Sequence, residues 1–139
     1  MRRVIPFVFL LGALATGLTM RAQEAGKVPE SPRSTIGYTT VATALIAVRA
    51  ISGIEIRTEN GWLIATDSPM RTIWSFAPEG HPAYPTAVKR TVVPAQKGSV
   101  VDMQILCESD KVSCDNVVLQ FQEINRRLFG SPGVYDTGK

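Results

Sequence analysis

The stretch that decides the fold is Ile54-Glu55-Ile56-Arg57-Thr58, followed after Glu59 by Asn60-Gly61 and then Trp62-Leu63-Ile64-Ala65-Thr66. Apolar and polar residues alternate in the first run, as they do along a strand whose side chains point to opposite faces in turn. Asn-Gly is the dipeptide preferred in two-residue hairpin loops, because both central positions need positive φ. The second run returns with β-branched and aromatic residues, so 54–66 is expected to form an antiparallel hairpin.

Working outward, Asp67-Ser68-Pro69 breaks the pattern and Thr72-Ile73-Trp74-Ser75-Phe76 resumes it as a third strand. Pro78 to Pro85 holds three prolines and Gly80 and is expected to be an irregular loop. Ala87 to Val93 reads as a fourth strand and Gln96-Lys97-Gly98 as a turn. In the next run Val101, Met103, Ile105 and Cys107 point one way, and Asp102, Gln104 and Leu106 the other. The connections are short enough for hairpins, which implies an antiparallel meander of about five strands.

A helix flanks this run on each side. Tyr38, Val41, Leu45 and Val48 recur at helical spacing, with Thr39 or Thr40 as the N-cap and Gly53 as the terminator. After the strands, Val117, Val118, Phe121, Ile124 and Leu128 share one helical face, opposite Gln120, Gln122, Glu123, Arg126 and Arg127. Ser113 is the expected N-cap there, Asp115 suits the first turn, and Gly130 and Pro132 stop the helix. The fold class is therefore α+β, with the N-terminal and C-terminal helices packed on one face of the sheet. In that arrangement Leu45, Val48, Phe121, Ile124 and Leu128 meet Ile64, Met103 and Ile105 in one core.

The N-terminus carries a different message. Arg2 and Arg3 precede a nearly unbroken apolar run from Val4 to Leu18, and Thr19-Met20-Arg21-Ala22 returns to polar and small residues. This is the layout of a secretory signal peptide, residues 1–22. Its apolar core of about 15 residues falls short of the ~20 needed to span a bilayer. Cleavage is expected after Ala22, with the site after Ala13-Leu14-Ala15 as a second candidate. An uncleaved membrane anchor is the alternative to either. Residues 23–37, with Gly26, Pro29 and Pro32, read as a flexible leader, 38–130 as a single domain and 131–139 as a frayed tail. The expected location is the periplasm or the secreted fraction, with no stable membrane span after cleavage.

Of the chain's 15 basic and 12 acidic side chains, the cut removes Arg2, Arg3 and Arg21 and no carboxylate. Charges in the mature protein then balance, so composition supports no basic face for nucleic acid. The two cysteines, Cys107 and Cys114, are expected to form a disulfide in an exported protein. Two buried thiols, or half of a metal site, are the alternatives. A metal site wants more Cys or His nearby, and His81 is the chain's one histidine. No metal, cofactor or catalytic constellation is expected: no glycine-rich phosphate loop, no Cys-x-x-Cys and no nucleophile elbow appears.

The least generic segment is Trp74-Ser75-Phe76-Ala77-Pro78-Glu79-Gly80-His81-Pro82-Ala83-Tyr84-Pro85, followed by Val88-Lys89-Arg90. Prolines hold such a loop in shape at low entropic cost. Trp74, Phe76, His81, Tyr84, Lys89 and Arg90 are therefore the candidate binding residues, against the plainer reading that the aromatics pack the core. With the following Cys-Glu and Cys-Asp, this pattern resembles a group of small exported proteobacterial proteins of uncharacterised function. The resemblance is clearest from Trp62 to Leu128 and implies export without assigning any residue a role.

The leading expectation is a small exported binding module that contacts an envelope or extracellular protein. Two others stand beside it. One is an envelope hydrolase using His81 with Ser75 or an acidic neighbour. The other is a curved sheet that holds a small apolar ligand against the helices.

Overall fold

A computed structural model describes residues 36–135; the expected signal peptide and most of the leader lie outside them. The order of elements is α1 (Val41–Arg49), β1 (Glu55–Glu59), β2 (Trp62–Asp67), β3 (Thr72–Phe76), β4 (Thr86–Pro94), β5 (Ser99–Cys107), α2 (Lys111–Phe129) and β6 (Val134–Tyr135). Strands β1 to β5 form the antiparallel meander read from the sequence. At the first turn, Glu59 pairs with Trp62, and Asn60 and Gly61 have φ of 50° and 84°. Both values are positive, as a two-residue hairpin turn requires.

The sixth strand arises from residues read as a frayed tail. Val134 and Tyr135 pair in parallel with Asp102 and Met103, making the sheet mixed. Periodicity does not reveal a strand of two residues. It is held instead by Asn125, whose Nδ2 donates to Pro132 O at 3.2 Å from inside the domain. At the other boundary, Ile36 belongs to the core rather than to the leader, with 2% exposure.

The helices do not share a face of the sheet. Val41, Ala44 and Val48 of α1 pack with Ala65, Trp74, Phe76 and Ala87. Val117 and Phe121 of α2 pack with Trp62, Ile64, Val88 and Met103. These two sets alternate along β2 to β5, so α1 covers one face and α2 the other, with two cores in place of one. The reason lies in the central strands, where Trp62-Leu63-Ile64-Ala65 is apolar on both faces and each face needs a cover. Leu128 is accordingly not a core residue and stands 64% exposed at the end of α2.

Local capping sets the helix limits. Thr40 caps α1 in a reciprocal box with Thr43, and Glu108 Oε1 accepts the Val41 N–H at 2.6 Å. Helix α1 ends at Ala50, and Gly53, at φ 76°, turns the chain toward β1. The N-cap of α2 is Asp110 rather than Ser113; its carboxylate accepts the Ser113 N–H at 3.0 Å. Asp110 sits three residues before that orphan donor, the spacing a capping oxygen needs. Asp115 therefore lies beyond the first turn. Gly130 closes α2 in the left-handed conformation, as expected. Cys107, the last residue of β5, is bonded to Cys114 in the first turn of α2, so the cystine clamps the helix to the end of the sheet.

Candidate functional site

The six residues singled out from the sequence do not form one surface. Trp74 and Phe76 point toward α1 from the central strand β3 and are 5% and 4% exposed. Alternation along β3 puts both in the core, where their rings stack at 6.3 Å, so neither belongs to a contact surface. Lys89 lies on the same face, with its ammonium 5.4 Å from the Trp74 ring. Arg90, one residue on, faces α2.

His81 and Tyr84 belong to the loop between β3 and β4, which is tied down by its own backbone. His81 N–H donates to Pro78 O at 3.1 Å and Tyr84 N–H to His81 O at 2.8 Å. Ser109 Oγ reaches Pro82 O at 2.9 Å from the start of α2. The imidazole accepts the Ala83 N–H at Nδ1, 3.1 Å away, and its ring meets Trp62 edge-on at 5.0 Å. Ser75 and His81 share no hydrogen bond, so this pair lacks the nucleophile–base contact that hydrolysis requires. Tyr84 is the exposed aromatic of the loop, at 43%.

The group that the sequence did not assemble lies under α2. Between this helix and the sheet is an open cleft of about 220 Å³. Its walls mix apolar and amide side chains: Trp62 and Ile64 from β2, Phe121, Ile124 and Leu128 from α2, with Asn60 and Gln120 beside them. Trp62 is the pivot, meeting Phe121 edge-on at 5.3 Å on one side and His81 on the other. Ser75 and Arg90 lie on the floor, diagonal neighbours across the β3–β4 pairing. Arg57 and Glu59 stand at the rim, 3.5 Å apart and both largely exposed.

Two buried polar atoms here have no partner. Ser75 is fully buried with its hydroxyl unpaired, and Arg90 is 7% exposed with its Nε unpaired. Such groups cost free energy in a folded interior unless something meets them. Arg90 is partly compensated: Nη1 donates to Asn125 Oδ1 at 3.3 Å, and the guanidinium lies 5.1 Å from the Phe121 ring centre. No carboxylate contacts it among the described residues. Burial lowers its pKa from the usual arginine value, repulsion from Arg57 adds to this, and Glu59 opposes it. The guanidinium is a cation, as arginine is in proteins generally.

A second, shallower hollow of about 300 Å³ is lined by Ile73, Val92 and Phe129, among others, but neither Ser75 nor Arg90 lines it, nor does Gln104, whose Oε1 is the third buried atom without a partner among the described residues. The sequence singled out Arg90 but missed its companions. The available signals were a charged residue in an apolar strand and a serine between Trp74 and Phe76. Neither says which helix lies above. No family model, curated protein or solved structure matches this chain.

Proposed function

We propose that this protein is a small exported, disulfide-stabilised binding module whose ligand occupies the cleft between α2 and the sheet. One observation carries the reading: a cleft with an apolar stretch of wall, at Trp62, Ile64, Phe121, Ile124 and Leu128, whose floor holds two unpaired buried polar atoms, on Ser75 and Arg90. Ligand sites combine apolar walls with a few convergent polar groups in this way. Export is supported by the layout of residues 1–22, by the cystine and by the resemblance to exported proteobacterial proteins.

The two tryptophans provide the test, since Trp62 lines the cleft and Trp74 lies on the opposite face. In a fragment screen read by the two indole N–H resonances, a subset of compounds should move Trp62 and leave Trp74 in place. If no fragment moves Trp62, or if both indoles always move together, the cleft is not the ligand site. Release of the protein by osmotic shock, or its recovery from the medium, tests the location.

A second reading places an envelope protein partner on the β3–β4 loop. It is favoured by Tyr84, an exposed aromatic on a hydrogen-bonded loop. A pull-down from envelope extract with wild type and Tyr84→Ala tests it, and equal recovery of every protein would remove the loop from consideration.

A further inference from the structure

The polar groups of the cleft favour one kind of ligand. Arg90 spends Nη1 on Asn125, and Asn125 is itself fixed by Pro132 O and by Met103 Sδ, 3.5 Å from its Nδ2. The guanidinium is thereby held with its Nε–Nη2 edge uncommitted among the described contacts. Two parallel N–H donors along one edge match the two oxygens of a carboxylate. Ser75 adds a hydroxyl on the same floor.

Charge narrows the choice further. Two cations and one carboxylate line the cleft, and Glu59 is already engaged by Arg57 at the rim. One positive charge is left over, deep in the site, which suits a monoanion better than a dianionic phosphate group. Size narrows it again: about 220 Å³ lies below the ~300–1,000 Å³ of sites for drug-sized molecules. The walls that remain for the rest of the ligand are Trp62, Phe121, Ile124 and Leu128, with the neutral amides Asn60 and Gln120 beside them.

We propose that the cleft binds a carboxylate joined to a compact apolar group. The carboxylate pairs with the Arg90 guanidinium and the Ser75 hydroxyl, buried atoms that it meets once the side chains above them part, and the apolar group lies against Trp62, Ile124 and Leu128. This rests on the cleft being the ligand site. A free small acid and the C-terminal residue of a polypeptide present the same chemistry, so the experiment treats them as separate arms.

The full mature protein is titrated with 3-phenylpropanoate and 4-methylpentanoate, and with 3-phenylpropanol and 4-methylpentanol as neutral counterparts. A third arm uses a short acetylated peptide ending in leucine, as the acid and as the amide. The Trp62 indole resonance reports binding and the Trp74 indole is the control. Acids should bind at least about tenfold more tightly than their neutral counterparts, as a charge-assisted pair implies. Arg90→Gln should abolish that preference. Ser75→Ala should weaken acid binding several-fold while the fold persists, because the hydroxyl has no partner to lose. It carries the test if Arg90→Gln does not fold.

Free acids binding without the peptide identify a small-molecule ligand; the peptide acid binding without its amide identifies a chain terminus; either result supports the proposal. Equal binding of acids and neutral counterparts, an unchanged preference in folded Arg90→Gln, or, where that variant does not fold, undiminished acid binding by Ser75→Ala, overturns the carboxylate assignment and leaves the cleft as a site. Failure of every compound to move Trp62 overturns the cleft itself.

Discussion

Asn125 Oδ1 accepts a hydrogen bond from Arg90 Nη1 at 3.3 Å, and Asn125 has no solvent exposure. The same amide donates to Pro132 O, so one side chain orients the cleft arginine and docks the segment leading to β6. Asn125→Ala removes both bonds and leaves a buried cation with less compensation. Its cost is expected to be about 2–4 kcal/mol in urea unfolding. A loss below about 0.5 kcal/mol, the level of an ordinary surface change, would contradict this role.

Gly133 is the position where β6 is most sensitive to substitution. Its φ is +86°, and a Cβ there would lie 2.9 Å from Val101 O and 3.1 Å from Asn125 Nδ2. Gly133→Ala therefore combines a left-handed backbone with a close approach to β5 and should destabilise by roughly 1–3 kcal/mol. Faster amide exchange at the edge of β5 should accompany it. Unchanged exchange would mean that β6 does not protect that edge.

The cystine makes a separate prediction. Cys107 and Cys114 are seven positions apart, and closing so short a loop contributes about 2–3 kcal/mol on the chain-entropy model. Cys107→Ser should lower stability by roughly 2–5 kcal/mol, the usual range for losing a native disulfide from a small domain. It should also expose one titratable thiol, at Cys114. Two free thiols in the oxidised wild-type protein would contradict the bond.

The start of α2 should respond to acid. The Ser113 backbone N–H, and then its hydroxyl, hold the Asp110 carboxyl below its ordinary value. A carboxyl depressed in the folded state stabilises it fully above the unfolded-state pKa and loses that effect as pH falls through the folded one. The stability gap between wild type and Asp110→Ala should thus be widest near neutrality and close in acid. Asp110→Asn keeps a capping oxygen without the charge and should show a flatter profile. A gap independent of pH would rule out the ionised cap.

Most elements were legible because short-range chemistry fixes them. Asn60-Gly61 marks the first hairpin, Thr72 to Phe76 alternates through β3, and Gly130 ends α2. The displaced boundaries have local causes: Asp110 takes the capping place expected of Ser113, since either residue can accept the bond and only the chain path selects one. Leu128 completes an apolar stripe in the sequence, yet is 64% exposed and lines the open cleft rather than the core. The candidate site was less legible. Trp74, Phe76 and Arg90 stood out by residue type, but type does not say that the first two face α1 while Arg90 faces α2.

The sequence by itself determined the order of β1 to β5, the helices that flank them, the expectation that Cys107 pairs with Cys114 and the signal-like layout of the first residues. These follow from periods, turns, caps and spacings that act within a few residues. Only the tertiary structure decided that α1 and α2 take opposite faces, that Val134–Tyr135 joins β5, and that Arg90 meets both Asn125 and the Phe121 ring. The physical reason is that alternation assigns side chains to two faces without saying what covers each one. A buried charge finds its neighbours only once the helix above it has docked.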